Sequence, residues 1–146
     1  MTTAPAVNGQ VIGMAHYATR AVAERLLTQG TTFHQSLALN AADAKGGIIE
    51  RDRLVERLTG AAKLDVAAVD RTIAELTAAG LLEERHGDRP LLALTDAGEA
   101  LVRTHRAALT EVTAELYGDL PAEDLATTGR VLAEVTARAD AMLAAG

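Results

Sequence analysis

No cysteine and no tryptophan occur in the 146 residues, and there are only one phenylalanine, two tyrosines and three prolines. The missing thiols exclude disulfides, thiolate metal sites and thiol-based redox sensing, and they fit a reducing, cytoplasmic setting. With aromatics this scarce, alanine, leucine and valine must fill the core, and the first two favour helix over strand. No apolar run reaches the roughly 18 residues that a membrane span needs, so no membrane association is expected. The stretch Met1–Val7 has no basic segment followed by an apolar one, so it reads as a loose tail and not as a signal peptide. The formal charge is −6, which gives no general attraction to nucleic acid or anionic lipid. Contact with DNA therefore has to come from a local basic patch.

What is present is hydrophobic periodicity. From Asn8 to Gln29, Val11, Ala15, Ala18, Val22 and Leu26 recur at helical spacing, with Gly30 as the stop. Thr31 or Thr32 can cap a second helix reaching Lys45 with Leu37 and Leu39 inward, and Gly46-Gly47 ends it. Ile48-Ile49 offers a single extended rung. A short helix follows with Leu54, Val55 and Leu58 inward, broken at Gly60. Asp65 is a natural cap for the next helix, whose Val66, Val69, Ile73 and Leu76 are expected inside and which Gly80 closes. The period then changes: Leu81–Arg85 and Pro90–Thr95 flank His86-Gly87-Asp88-Arg89, a turn between two short strands. Thr95 or Asp96 can cap a long helix to Tyr117. Gly118-Asp119-Leu120-Pro121 breaks it before a last helix carrying Leu125, Leu132, Val135 and Met142. The fold class is mainly α with a small β-hairpin wing. Two helices joined by a short turn and followed by a hairpin make a winged helix-turn-helix, whose second helix normally enters the DNA major groove.

Catalytic motifs are missing. There is no Gly-x-Ser-x-Gly, no phosphate-cradling glycine loop and no cysteine nucleophile, so no cofactor is expected and catalysis has no motif, although His34 and His16 with nearby Tyr17 could perform acid–base chemistry on a bound ligand. Histidines spaced as metal ligands on one helix are also absent, and no metal site is expected.

Three segments carry a resemblance. Arg53-Leu54-Val55-Glu56-Arg57-Leu58, the run Val69–Leu82 and Leu94-Thr95-Asp96-Ala97-Gly98 resemble, in order and spacing, the helix before the turn, the recognition helix and the wing exit of MarR-family regulators. The likeness extends over about residues 8 to 143. It implies a homodimer in which helices at 8–30 and 99–146 interlock, while 31–98 forms the DNA-binding module. It further implies a ligand-responsive transcriptional regulator, usually a repressor, on a pseudo-palindromic double-stranded operator in a bacterial cytoplasm. The alanine-rich, arginine-over-lysine composition accompanies high-GC bacterial sequences.

Residues that could carry these roles follow. Arg71 projects outward from the second helix of the turn, where family members place a DNA-reading arginine; alternatively it is a solvated partner of Glu75 one turn on. Thr72, Lys63 and Arg53 could bind phosphates at the groove rim, and Arg85 and Arg89 could do so from the wing. The family's ligand, a small aromatic acid, would lie near His16, Tyr17, Arg20 and His34, a group suited to a carboxylate or phenolate. His105 lies on the fifth helix. Two features depart from the family: the wing is shortened, with Pro90 directly after Arg89, and the module is acidic. Between Gly47 and Glu99 there are seven Lys/Arg against eleven Asp/Glu, which opposes phosphate binding. The alternative reading is a repurposed dimer that has lost operator binding and acts as a small-molecule binder or enzyme.

Overall fold

The computed structural model describes residues 3–27 and 30–146. Among them the elements run α1 (Gly9–Arg25), α2 (Phe33–Ala44), β1 (Ile48–Glu50), α3 (Arg51–Gly60), α4 (Val66–Ala78), β2 (Leu82–His86), β3 (Pro90–Leu94), α5 (Asp96–Tyr117) and α6 (Ala122–Ala145). The chain divides into two compact units, Met1–Leu109 and Thr110–Gly146.

In the first unit, caps set the helix starts. Asn8 accepts from the Val11 amide at 2.9 Å. Thr32 accepts from the Gln35 amide while the Gln35 side chain accepts from the Thr32 amide, a reciprocal pair that satisfies two amides with no partner inside the helix. Of the two threonines considered as caps, Thr32 is therefore the one used. Asp65 accepts from the Ala68 amide at 2.7 Å, as its position before the periodic run requires. α1 stops at Arg25 with Leu26 as its cap, short of the expected end at Gln29, which lies outside the described residues.

The expected rung at Ile48-Ile49 is a true strand. β1 and β2 both pair antiparallel with β3, giving the order β1-β3-β2, with Ile49 opposite Leu92 and Leu82 opposite Leu94. Gly47, at φ 95°, makes the bend from α2 into β1, and its carbonyl accepts from the Leu94 amide at 2.8 Å. Leu39, Leu54, Leu58, Val69, Ile73, Leu76, Leu82 and Leu92 meet in one buried core between α2, α3, α4 and the sheet. Each side chain buried this fully stabilises the fold by about 1.5–3 kcal/mol relative to exposure.

Thr95 locks the wing to α5. Its hydroxyl donates to the Gly80 carbonyl at 2.6 Å and accepts from the Gly98 amide at 3.0 Å, which caps the helix. Gly98 is required by space and not by φ: a Cβ there would lie 2.2 Å from the Leu81 carbonyl oxygen. The Leu-Thr-x-x-Gly pattern is thus a packing device at the wing exit.

One expected core position is wrong. Val66, the first residue of α4, is 56 % exposed, and Ala68 is buried instead. The periodic stripe of α1 is also only partly covered: Val11, Val22 and Leu26 are half-buried, Ala15 and Ala18 are exposed, and no residue of that helix is fully buried.

The second unit comprises the end of α5, a turn and α6. The Gly118 amide donates to Ala114, Leu120 to Tyr117 and Leu125 to Pro121, so the break falls where the glycine-proline pair placed it. No residue of α6 is buried; its Leu125, Leu132, Val135, Met142 and Leu143 are exposed, as is Leu120 in the turn before it. No described helix is long and apolar enough to cross a membrane.

Candidate nucleic-acid interface and ligand cleft

α3 and α4 are joined by a turn in which Lys63 adopts a left-handed conformation, φ 58°. Its ammonium folds back to donate to the Gly60 carbonyl at the C-terminus of α3. A cation is favoured there by the helix dipole, so Lys63 serves the turn itself. Val69, Ile73 and Leu76 pin the inner face of α4 to the core, which leaves Asp70, Arg71, Ala74 and Glu75 on the outer face.

Arg71 is exposed and makes no ion pair among the described residues; the bond to Glu75 is not formed. Thr72 is a correction. It is only 3 % exposed, and its hydroxyl donates to the Ala68 carbonyl at 2.8 Å, so it faces the core and cannot reach a phosphate. Arg53 is exposed and lines an open groove with Lys45, Glu50, Glu56 and Arg57.

The wing cations already hold carboxylates of the chain. Arg85 grips Glu83 through Nε and Nη2 at 3.1 and 2.9 Å. Arg89 lies 3.6 Å from Glu50. Arg51, which the sequence did not single out, sits between elements, 3.2 Å from Asp70 of α4 and 3.8 Å from Glu84 of β2. The carboxylate of Asp70 thereby has a cation of the chain beside it while it stays half exposed on the outer face of α4. Position 51 begins α3 beside the sheet edge, a neighbourhood that no local pattern reveals.

The expected ligand residues only partly converge. His16, Arg20 and His34 line one cleft of about 540 Å³ between α1, α2, α3 and the turn that follows α3. Tyr17 is not in it. It is 72 % exposed and rests its ring near that of His16, centroids 5.9 Å apart. Arg20 donates from Nε to Glu24 at 2.7 Å, and its guanidinium carbon sits 4.4 Å from the centre of the Phe33 ring. Asn40 and Arg57 complete the polar lining, and Phe33, Leu37, Leu58 and Leu64 supply apolar wall. Arg57, on the first helix of the turn, lines both this cleft and the groove with Glu50 and Glu56, a position that no local pattern singles out.

His105 lies elsewhere. It is buried beside a small apolar cavity formed by Leu26, Leu27, Leu39, Leu101 and Val102, and its Nε2 has no hydrogen-bond partner among the described residues. Burial pushes its imidazole below the ordinary histidine value of 6.5. No group of three or more metal-ligating side chains occurs among the described residues.

No family model matches the chain, and no curated protein matches it. Solved structures do. The PcaV transcriptional regulator of Streptomyces coelicolor, in complex with its natural ligand, superposes with a TM-score of 0.73 at 23 % identity, over 93 % of this chain and 99 % of that one. BpsR of Bordetella bronchiseptica, whose DNA binding is regulated by 6-hydroxynicotinic acid, gives 0.72 at 22 % identity, over 91 % and 98 %. A mutant Escherichia coli MarR complexed with operator DNA gives 0.64 at 22 %, over 85 % and 92 %. The chain has the winged-helix fold of MarR-type transcriptional regulators.

Proposed function

With that fold as the premise, we propose that the chain is a ligand-responsive, DNA-binding transcriptional regulator, a cytoplasmic repressor that reads a pseudo-palindromic operator as a homodimer. The observation that carries the reading is Arg71, held outward on α4 by a helix whose opposite face is fully buried, with no ion pair among the described residues to keep it from a base or phosphate. Arg53 and the wing arginines Arg85 and Arg89 would contact flanking phosphates, the last two after exchanging their carboxylates. Residues 31–98 form the DNA-binding module in this reading. The regions 8–30 and 99–146 would dimerise, which accounts for the exposed leucines, valine and methionine of α6 and for the half-covered stripe of α1. A small aromatic or acidic ligand in the cleft around His16, Arg20 and His34 would release the operator.

A gel shift on the chain's own upstream DNA at low and moderate salt tests this. A specific shift is expected that weakens steeply with salt and falls by about 1–3 kcal/mol in Arg71→Ala. No shift from a folded dimer at low salt would refute operator binding at that DNA.

One set of observations favours the second reading, a dimer that has lost its operator and binds small molecules. Arg51, Arg85 and Arg89 are each within 4 Å of a carboxylate of the chain. The same gel shift separates the two readings, because binding in a partly apolar cleft has little of the salt dependence of phosphate contacts.

A further inference from the structure

α5 docks within the first unit through a short stripe. Gly98, Val102 and His105 are its buried residues, spaced for one helical face, and beyond His105 no residue of α5 is buried. The last anchor of the helix is therefore a titratable one. Leu26 and Leu27 after α1, Leu39 of α2, and Leu101 and Val102 of α5 surround the cavity beside it. The Ser36 hydroxyl, also in that lining, is spent on the Phe33 carbonyl at 2.7 Å, and Nε2 of His105 has no partner.

No carboxylate or second cation lines the cavity among the described residues. Near the end of α1, Glu24 and Arg25 are exposed. On α2, His34 lines the other cleft, and Asp43 ion-pairs with Arg106 of α5. On α5 itself, Glu99 and Arg103 are exposed. An imidazolium at 105 would be a buried charge with no counter-charge, which is far more costly than a neutral ring with one unmet nitrogen.

We propose that His105 is an acid-sensitive latch: in its neutral form it docks α5 against α2 and the end of α1, and its protonation releases that part of the helix. The docked ring resists the proton, whereas an undocked ring takes it up at the ordinary value of about 6.5, so each pH unit below that value favours undocking by up to about tenfold. α5 begins at the wing exit, where Thr95 ties it to Gly80, and runs on past Leu109 into the second unit. Release at His105 thus loosens the helix that supports the wing, and mild acid lowers DNA affinity. That last step alone rests on the regulator reading.

Amide hydrogen exchange of the full chain at about pH 7.5 and about pH 5.5, corrected for the intrinsic pH dependence of exchange, tests the latch. Protection of residues 100–109 is expected to fall by about three- to tenfold more than that of α4 in the wild type and in His16→Gln, and not to do so in His105→Leu. An NMR titration of the His105 ring decides if that variant does not fold: a midpoint below 6.5 is expected, and one at or above it would overturn the latch. Protection that falls equally in His105→Leu, or that does not fall in the wild type, would overturn it too. Polarisation titration on the upstream DNA at the same two pH values reads the second step, and wild-type affinity should fall about threefold or more relative to His105→Leu. Equal changes in both proteins would overturn the coupling to DNA. The exchange change without DNA binding at either pH would refute the regulator reading and support the latch by itself.

Discussion

Around α4 and the wing, Arg51, Arg85 and Arg89 each sit against a carboxylate supplied by α4 or the sheet, whereas the cleft between α1, α2 and α3 collects two arginines and two histidines with no lining carboxylate among the described residues. Both regions draw on the same helix: Arg51 begins it and Arg57 lies two turns on. Net charge therefore says little about what either surface binds. Exposed ion pairs of this kind are each worth about 0–1 kcal/mol, so a phosphate can displace them at modest cost. In the proposed complex the released carboxylate would stay near the DNA backbone, where its repulsion lowers affinity further. On the proposed DNA-binding reading, this arrangement restrains affinity for phosphate.

The comparison can be broken outright at the wing exit. Gly98→Ala forces a methyl against the Leu81 carbonyl, and we expect it to destabilise the chain by about 2–3 kcal/mol, lowering the calorimetric Tm and weakening DNA binding with it. An unchanged Tm would show that the contact between the start of α5 and the wing relaxes freely.

A second test sharpens the contrast. The double substitution Glu50→Gln, Asp70→Asn releases Arg89 and one partner of Arg51 while leaving the cleft untouched. DNA affinity at moderate salt should rise by roughly five- to tenfold by polarisation titration, with affinity for a carboxylate ligand unchanged. A fall in DNA affinity would mean that these pairs hold the arginines in the pose that DNA needs.

A smaller effect is expected at His105. Its folded-state pKa is lowered by desolvation, so the folded protein resists protonation that the unfolded chain accepts at its ordinary value of about 6.5. Stability is then complete above that value and declines as pH falls below it toward the lowered folded pKa. In Tm measured from neutral to mildly acidic pH, His105→Leu should flatten part of this decline. An identical slope in the variant would assign the decline to other groups.

The smallest effect should come from Thr72→Val. Because its hydroxyl satisfies only the Ala68 carbonyl inside α4, DNA affinity should stay within about twofold of the wild type, with any change confined to stability. A large loss of affinity would put the side chain on the DNA after all.

Much of the fold was legible because its determinants are local. Asp65 and Thr32 announce helix starts through groups that bond three residues ahead, Gly80 at φ 74° takes a conformation open to few other residues, and the shift from helical to strand spacing after Leu81 marks the wing. Val66 misled for an equally local reason: spacing puts it in phase with Val69 and Ile73, but as the first residue of α4 it is 56 % exposed. Thr72 fell on the wrong side because a polar residue in an apolar period reads as exposed, while its hydroxyl can be satisfied within its own helix.

The sites were less legible, since they depend on which distant residues meet. Sequence by itself determined the order and kind of elements, the turn before the recognition helix, the outward aim of Arg71 and the glycine at the wing exit, all through periodicity, capping and backbone geometry. Only the tertiary structure decided that Arg51 joins Asp70 to Glu84, that Tyr17 stands outside the cleft, and that Arg57 joins His16 and His34 within it. Those outcomes are set by long-range packing of α1, α2, α3 and the sheet, and no spacing along the chain encodes which side chain comes to rest beside which charge.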